Sequence, residues 1–315
     1  MVDSTTALTL VRMTTALRAP THSLAWCGTE AGIFRQQGLD VTFPVMETTG
    51  PEAVHGLARG EWDFCQTGTL PVVENFLQGG DAVVLFRNAL QHDNLCIALQ
   101  PELKSLAALD GKRVGVLSDA TSGQTGINAR LTIEKAGATA TYVGLGGYGN
   151  IYKALIAGKI DAGPLPLHLR FAGERLYSWN IFSLAFGGAI PSVFATTRRL
   201  IATHRELVMR VAQGFIRTVH AFKTQPAVYV PLLQRFLQVN ERELVEDHVR
   251  FYLPLFPQVP RMALSDAGLQ SIRDTFSANY PAAHNLKEAD FTDSSIVDAL
   301  ECSGFIARLY AGDTR

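Results

Sequence analysis

The chain has 315 residues, with 28 Lys and Arg against 29 Asp and Glu, and 47% of its residues are hydrophobic. That length accommodates two domains with sizeable cores. The balanced charge, free of any block of one sign, argues against a nucleic-acid partner, and no apolar run is long enough to span a bilayer.

Residues 8–13 (LTLVRM) read as a strand, and 14–23, polar and holding Pro20, as a loop. Thr21-His22-Ser23 then caps a helix over 24–37 that Gly38 ends. Residues 39–45 alternate as a strand does. In 50–71, GPEAVHGLARGEWDFCQTGTLP, the residues Ala53, Val54, Leu57 and Ala58 make one apolar helical face and Gly60 stops the helix. A short strand over 62–64 follows, with Thr67-Gly68-Thr69 just past its end. Residues 70–78 predict a helix and 82–86 an apolar strand. The order βαβαβαβ implies a mainly parallel sheet with helices on both faces.

A second run begins with a strand at 95–99 and a helical turn at 104–109. A strand over 112–117 opens onto SDATSGQTG, a helix over 127–136 follows, and then a strand over 141–145. GNIYKALIAGKIDAG (149–163) repeats the earlier helix-turn-strand unit: Leu57, Gly60 and Asp63 return as Leu155, Gly158 and Asp161. A short strand at 181–184 closes the run. Two similar α/β lobes are the expectation. From Ser192 the texture turns helical. A helix is expected over 203–223 and broken by Pro226, another runs from a capping box at Asn240 and Glu243 to Tyr252, and a third covers 265–278. Short crossings near 91–95 and 187–192 would join the lobes and act as a hinge.

Cys27, Cys65, Cys96 and Cys302 are far apart, fall at no metal-ligand spacing, and read as free, buried thiols. No HxH or HExxH spacing occurs, so neither a metal nor another cofactor is expected. MVDSTTALTLVRM lacks the features of a secretory signal. The protein is expected in the cytoplasm as written, or in the periplasm if a signal was removed before numbering.

EAGIFRQQGLDVTF, GPEAVHGLARGEWDF, LKSLAALDGKRVGV and LIAGKIDAG, in this order and spacing, resemble segments of one family. It comprises the periplasmic solute-binding proteins for nitrate, taurine and alkanesulfonates and the related thiamine-pyrimidine-precursor binders. The resemblance covers residues 8–280. It implies a type II periplasmic-binding-protein fold, with 1–93 plus 192–315 as one lobe, 94–191 as the other, and a helical C-terminal segment. It also implies a small-molecule ligand and an ABC permease as partner. Relatives of this fold include enzymes, so a cytosolic decarboxylase, lyase or biosynthetic enzyme acting on a small aromatic or heterocyclic acid is the alternative.

In such a fold the loops at strand ends line the cleft. These supply Arg18, Thr21 and His22; Thr67, Gly68 and Thr69; Ser118, Thr121, Ser122 and Gln124; and Gly146, Gly147 and Tyr148. Helix N-termini and neutral hydroxyls there suit an anion or a polar heterocycle, and Arg18 can grip a carboxylate or sulfonate with two bonds. Gly144 to Gly149 (GLGGYG) imitates a dinucleotide fingerprint, but no acidic residue follows at the required distance. Leu165, in an apolar stretch, hints at a ligand with a non-polar part. His22 and His168 are the candidates for catalysis if the chain is an enzyme.

Overall fold

The computed structural model describes residues 7–46, 49–89, 95–121, 124–184 and 192–311. Its first half runs β1 (Thr9–Thr15), α1 (Leu24–Glu30), β2 (Leu39–Thr42), α2 (Gly50–Arg59), β3 (Phe64–Gly68), α3 (Thr69–Leu77) and β4 (Ala82–Arg87). Then come β5 (Leu95–Leu99), β6 (Arg113–Val116), α4 (Gln124–Lys135), β7 (Thr141–Gly144), α5 (Tyr148–Ile156), β8 (Ala162–Pro166), α6 (Leu167–Tyr177) and β9 (Asn180–Ser183). β10 (Ser192–Thr197) leads into α7 (Arg198–Thr203), α8 (Arg205–Thr224), α9 (Pro226–Leu237), α10 (Arg242–Tyr252) and α11 (Asp266–Phe276). The short helices α12 (Glu288–Phe291), α13 (Ser295–Cys302) and α14 (Phe305–Tyr310) end the described chain.

The strands form two five-stranded sheets, ordered β2-β1-β3-β10-β4 and β7-β6-β8-β5-β9. The plan is the same in each. Four strands run parallel, and the fourth position is filled by an antiparallel strand, β10 or β5. Two α/β lobes are thus present, as expected. The expected crossings fall largely on residues 90–94 and 185–191, outside the described residues.

The repeated unit has a physical basis. Gly60 and Gly158 both sit at positive φ (72° and 63°), where a side chain would be strained, and each ends a helix. Three residues on, Asp63 accepts from the Arg12 backbone N–H (2.8 Å) and guanidinium, while Arg12 Nη1 donates to Gly60 O (2.8 Å). Asp161 accepts from the Arg113 backbone N–H (2.8 Å) and Nε (3.2 Å), and Arg113 Nη2 donates to Gly158 O (3.2 Å). The same clamp ties a helix end to a neighbouring strand, β1 in one sheet and β6 in the other.

Apolar strand faces bury against helices on both sides. Phe64, Phe86 and Phe194 stack on one face of the first sheet, Phe86 and Phe194 at 4.9 Å, and Phe215 of α8 packs on them. The other face meets α2, α3 and α11 through Val54, Leu70, Val73 and Ile272.

Several local expectations need correction. β3 extends to Gly68, so Thr67 and Gly68 belong to the strand and Thr69 opens α3. The helix expected over 24–37 is α1 plus a 3-10 turn at Arg35–Gln37, because the glycine pair Gly32 and Gly38 takes positive φ. The helix expected over 203–223 is α8, Arg205–Thr224, with the separate short helix α7 before it, parted from it at His204. Pro226 ends α8 but also starts α9, a first-turn position where its missing N–H costs nothing. α10 is capped by Glu241 with no side-chain hydrogen bond, so the capping box at Asn240 is absent. Cys27, Cys65 and Cys96 are buried, whereas Cys302 is exposed.

Candidate functional site

The C-terminal ends of both sheets face a common cavity of about 750 Å3, open mouth included. From the first sheet come Ala16 and Leu17 after β1, Thr67 and Gly68 of β3, and Ser192 of β10. From the second come Leu95 of β5, Leu117 and Ser118 after β6, and Pro166 of β8. First turns of helices fill the gaps: Gly50 of α2, Pro71 of α3, Thr125 and Gly126 of α4, and Tyr148 of α5. Each first turn has backbone N–H groups that its own helix cannot use.

The wall is mainly apolar, and its polar side chains are hydroxyls plus His22. Among the described lining residues there is no Lys, Arg, Asp, Glu or Cys. Tyr148 and Thr125 share a hydrogen bond (3.0 Å), and burial pushes the Tyr148 phenol up to about 12, so it stays protonated. Thr67 Oγ1 donates to Gly50 O (3.4 Å), and Thr49 Oγ1 accepts from Glu52 N–H (3.3 Å). The turn Pro20–His22 is held from below: Ser23 Oγ meets Pro20 O (2.7 Å) and the Tyr229 hydroxyl (2.5 Å) of α9. α10 closes one side with Tyr252, whose ring stacks on His248 at 5.6 Å.

Close backbone approach positions the Ser118 loop. A Cβ on Gly144 would lie 2.0 Å from Ser118 O, and one on Gly126 would lie 2.1 Å from Asp119 O. The chain at 118–119 runs between these two glycines, which leaves Ser118 beside the cavity.

Of the residues named from sequence, the structure brings Thr21, His22, Thr67, Gly68, Ser118 and Tyr148 to this cavity. Others lie elsewhere. Arg18 Nη1 donates to Phe236 O (2.7 Å) and its guanidinium lies 6.0 Å from the Phe236 ring centre, so packing against α9 holds it away from the cavity. Gly146 and Gly147 line an adjoining hollow with Arg18, Lys153 and Gln238, divided from the cavity by Leu17 and Tyr148. Thr69 is fully buried in the start of α3 and is not part of the wall. Thr121 points to Asp119 Oδ1 (2.8 Å) and is exposed. Leu165 faces the core with Cys96 and Ile151, because alternation along β8 gives the cavity side to Pro166. Ser122 lies outside the described residues, as do the side chains of Gln124 and His168, which belong to α4 and α6.

Sequence reasoning passed over Thr49, Gly50, Thr125, Ser192 and Tyr252. Thr125 lay within the TSGQTG loop already singled out. Tyr252 reads as a helix-face core residue, and no local pattern sets it apart. Among the described residues there is no cluster of three His, Cys, Asp or Glu able to hold a metal, and no helix long and apolar enough to cross a membrane.

A profile of the family described as "NMT1/THI5 like" matches residues 19–227. The chain belongs to this family. Its members' fold is seen again among solved structures. A protein from Bordetella bronchiseptica RB50 superposes with a TM-score of 0.78 at 15% identity, over 93% of this chain and 98% of that one. The alkanesulfonate-binding protein SsuA from Xanthomonas axonopodis pv. citri, bound to MOPS, gives 0.72 at 16%, over 91% and 98%. The periplasmic aliphatic sulphonate binding protein SsuA from Escherichia coli gives 0.63 at 14%, over 90% of each. These likenesses establish the periplasmic-binding-protein fold. No curated protein sequence matches the chain.

Proposed function

We propose that this NMT1/THI5-like protein is the solute-binding component of an ABC importer. It holds one small organic anion or polar heterocycle between its lobes, outside the cytoplasm, and passes it to a membrane permease. The observation that carries this reading is the cavity to which both sheets contribute strand ends and first helical turns. A largely apolar pocket with a few convergent polar groups is how proteins hold small molecules. Residues 1–93 with 192–315 form one lobe in this reading and 94–191 the other, and the two crossings hinge them.

Thr21, His22, Thr67, Gly68, Ser118 and Tyr148 are the proposed contacts, joined by Thr49, Thr125, Ser192 and Tyr252. An anion would be met by helix first turns and hydroxyls rather than by a cation. Binding is favoured over the enzymatic alternative by the lining, whose described residues include no carboxylate, lysine or thiol.

The test is a thermal-shift screen against sulfonates, aromatic carboxylates and pyrimidines, followed by calorimetry and mass spectrometry of the recovered ligand. A binder gains about 2.7 kcal/mol when ligand stands at 100 times Kd. Stabilisation by one class, with the ligand recovered unchanged, supports the proposal. Turnover of the ligand, or no stabilisation across the whole screen, refutes it.

A further inference from the structure

At the C-terminal edge of the first sheet, three buried side chains carry polar atoms that no described residue satisfies. They are Ser192 Oγ, Asn88 Nδ2 and Oδ1, and Gln66 Nε2. Ser192 is 3% exposed, and Asn88 and Gln66 are 0% exposed. Strand register gathers them. Gln66 pairs with Phe194 and Gly68 with Ser192 across β3 and β10, and Arg87 pairs with Val193 across β10 and β4. Asn88 N–H donates to Ser192 O (2.9 Å), which continues that ladder by one residue. Paired residues share a sheet face, as do residues two apart on a strand. Gln66, Ser192 and Asn88 therefore stand on one face, with Asn88 beside Ser192 and Gln66 on the diagonal, roughly 7–8 Å away. Ser192 lines the cavity, and the other two stand behind it.

Buried polar groups left unmade are costly, so a native cluster of them implies a partner from outside the chain. The offered atoms define that partner. Ala25 N–H already occupies Gln66 Oε1 (3.4 Å), so Gln66 has donors to give. Asn88 offers a donor and an acceptor, and Ser192 serves as either. An ionised sulfonate or carboxylate only accepts, and would leave the Asn88 carbonyl without a donor.

Resting on the binding reading above, we infer that Ser192, backed by Asn88 and Gln66, is a subsite for an uncharged ligand group that both donates and accepts hydrogen bonds. A carboxamide, ureide or lactam edge has that chemistry. Ser192 meets it directly, and Asn88 and Gln66 complete the network through Ser192 or a bridging water.

Nicotinamide, nicotinate and pyridine-3-sulfonate share a ring and differ in the group they offer to this floor. Calorimetry on the full chain is expected to give nicotinamide about tenfold tighter binding than either anion. Asn88→Leu should reduce that ratio to within about twofold with the anions little affected, and Ser192→Ala should reduce it by weakening nicotinamide more than either anion. Asn88→Leu removes an unsatisfied amide, so without ligand it should melt no lower than the unsubstituted protein. The subsite is overturned if nicotinamide fails to bind, if an anion binds tighter, or if the ratio survives in both variants. A clearly lowered melting temperature for ligand-free Asn88→Leu also overturns it, by showing the amide paired within the fold. None of these outcomes touches the binding reading, which fails only if the wider screen finds no ligand or finds turnover.

Discussion

Replacing Gly144 by alanine tests whether close backbone approach sets the site. The new Cβ would lie 2.0 Å from Ser118 O, while real Cβ atoms essentially never come within 3.0 Å of a neighbour, so the two backbones must part by about 1 Å. Gly144 is the last residue of β7, paired with Val116, and the next two N–H groups bond Val116 O (2.8 Å) and Leu117 O (2.7 Å). Overpacking of this kind costs about 1–3 kcal/mol, and weakening the two adjoining bonds brings the expected loss to about 2–4 kcal/mol. Ser118 moves with its carbonyl, so ligand affinity should fall about tenfold or more. The control is Gly149→Ala, the same chemical change with nothing within 4 Å of the added atom; in the first turn of α5 it should be neutral or stabilising by up to about 1 kcal/mol. Urea melts followed by circular dichroism measure the first quantity and calorimetry the second. If Gly144→Ala melts with the unsubstituted protein and binds as tightly, the argument from close approach is wrong.

Two further outcomes follow from buried and clamped charges. Burial pushes the His248 imidazole from its ordinary 6.5 down to about 4, so the unfolded chain takes up a proton between those values and the folded chain does not. Stability should therefore be full above pH 6.5 and fall by up to about 3 kcal/mol as the pH drops to 4, in urea melts across that window. His248→Gln should flatten the slope, and an unchanged slope would show that another group sets it. Asp161 is partly desolvated, which raises its pKa, but its bonds from the Arg113 N–H and guanidinium outweigh this and hold the carboxyl below 3.8. Its contribution is complete above that value and is lost as pH falls through the folded pKa, so Asp161→Asn should lower stability at pH 7 yet show less loss in an acid titration. At neutral pH, Asp161→Ala should cost about 1–2 kcal/mol, chiefly through the lost backbone hydrogen bond, because the exposed ion pair itself adds little. Equal stability of Asp161→Ala and the unsubstituted protein would mark the clamp as ornamental.

The features legible in the sequence are those written within a few residues. Gly60 and Asp63, then Gly158 and Asp161, announced a unit used twice, because a left-handed helix stop and a strand-opening carboxylate need neighbours only three residues apart. Leu57 and Leu155 named the buried faces by helical spacing alone, and both are buried. From these came two α/β lobes and the strand ends that hold Thr67, Gly68 and Ser118.

Other positions follow from pairing that no short window contains. β10 and β5 enter antiparallel at the fourth place of their sheets, each pairing with a strand far away in the sequence. That register, and nothing within ten residues of any of them, puts Ser192 beside Asn88 and diagonal to Gln66. Arg18 looked like the anion-binding group, and it was withdrawn by Phe236 of α9, a partner 218 residues away. Tyr252 entered the cavity from α10 by the same kind of long-range packing. Sequence by itself determined the repeated unit and most elements of the two α/β runs, since backbone geometry and side-chain period act locally. It did not determine α6, α9 or β10, a strand where a helical texture was expected from Ser192. The tertiary structure decided which polar groups face the cavity, because burial and strand register are properties of the whole assembled sheet.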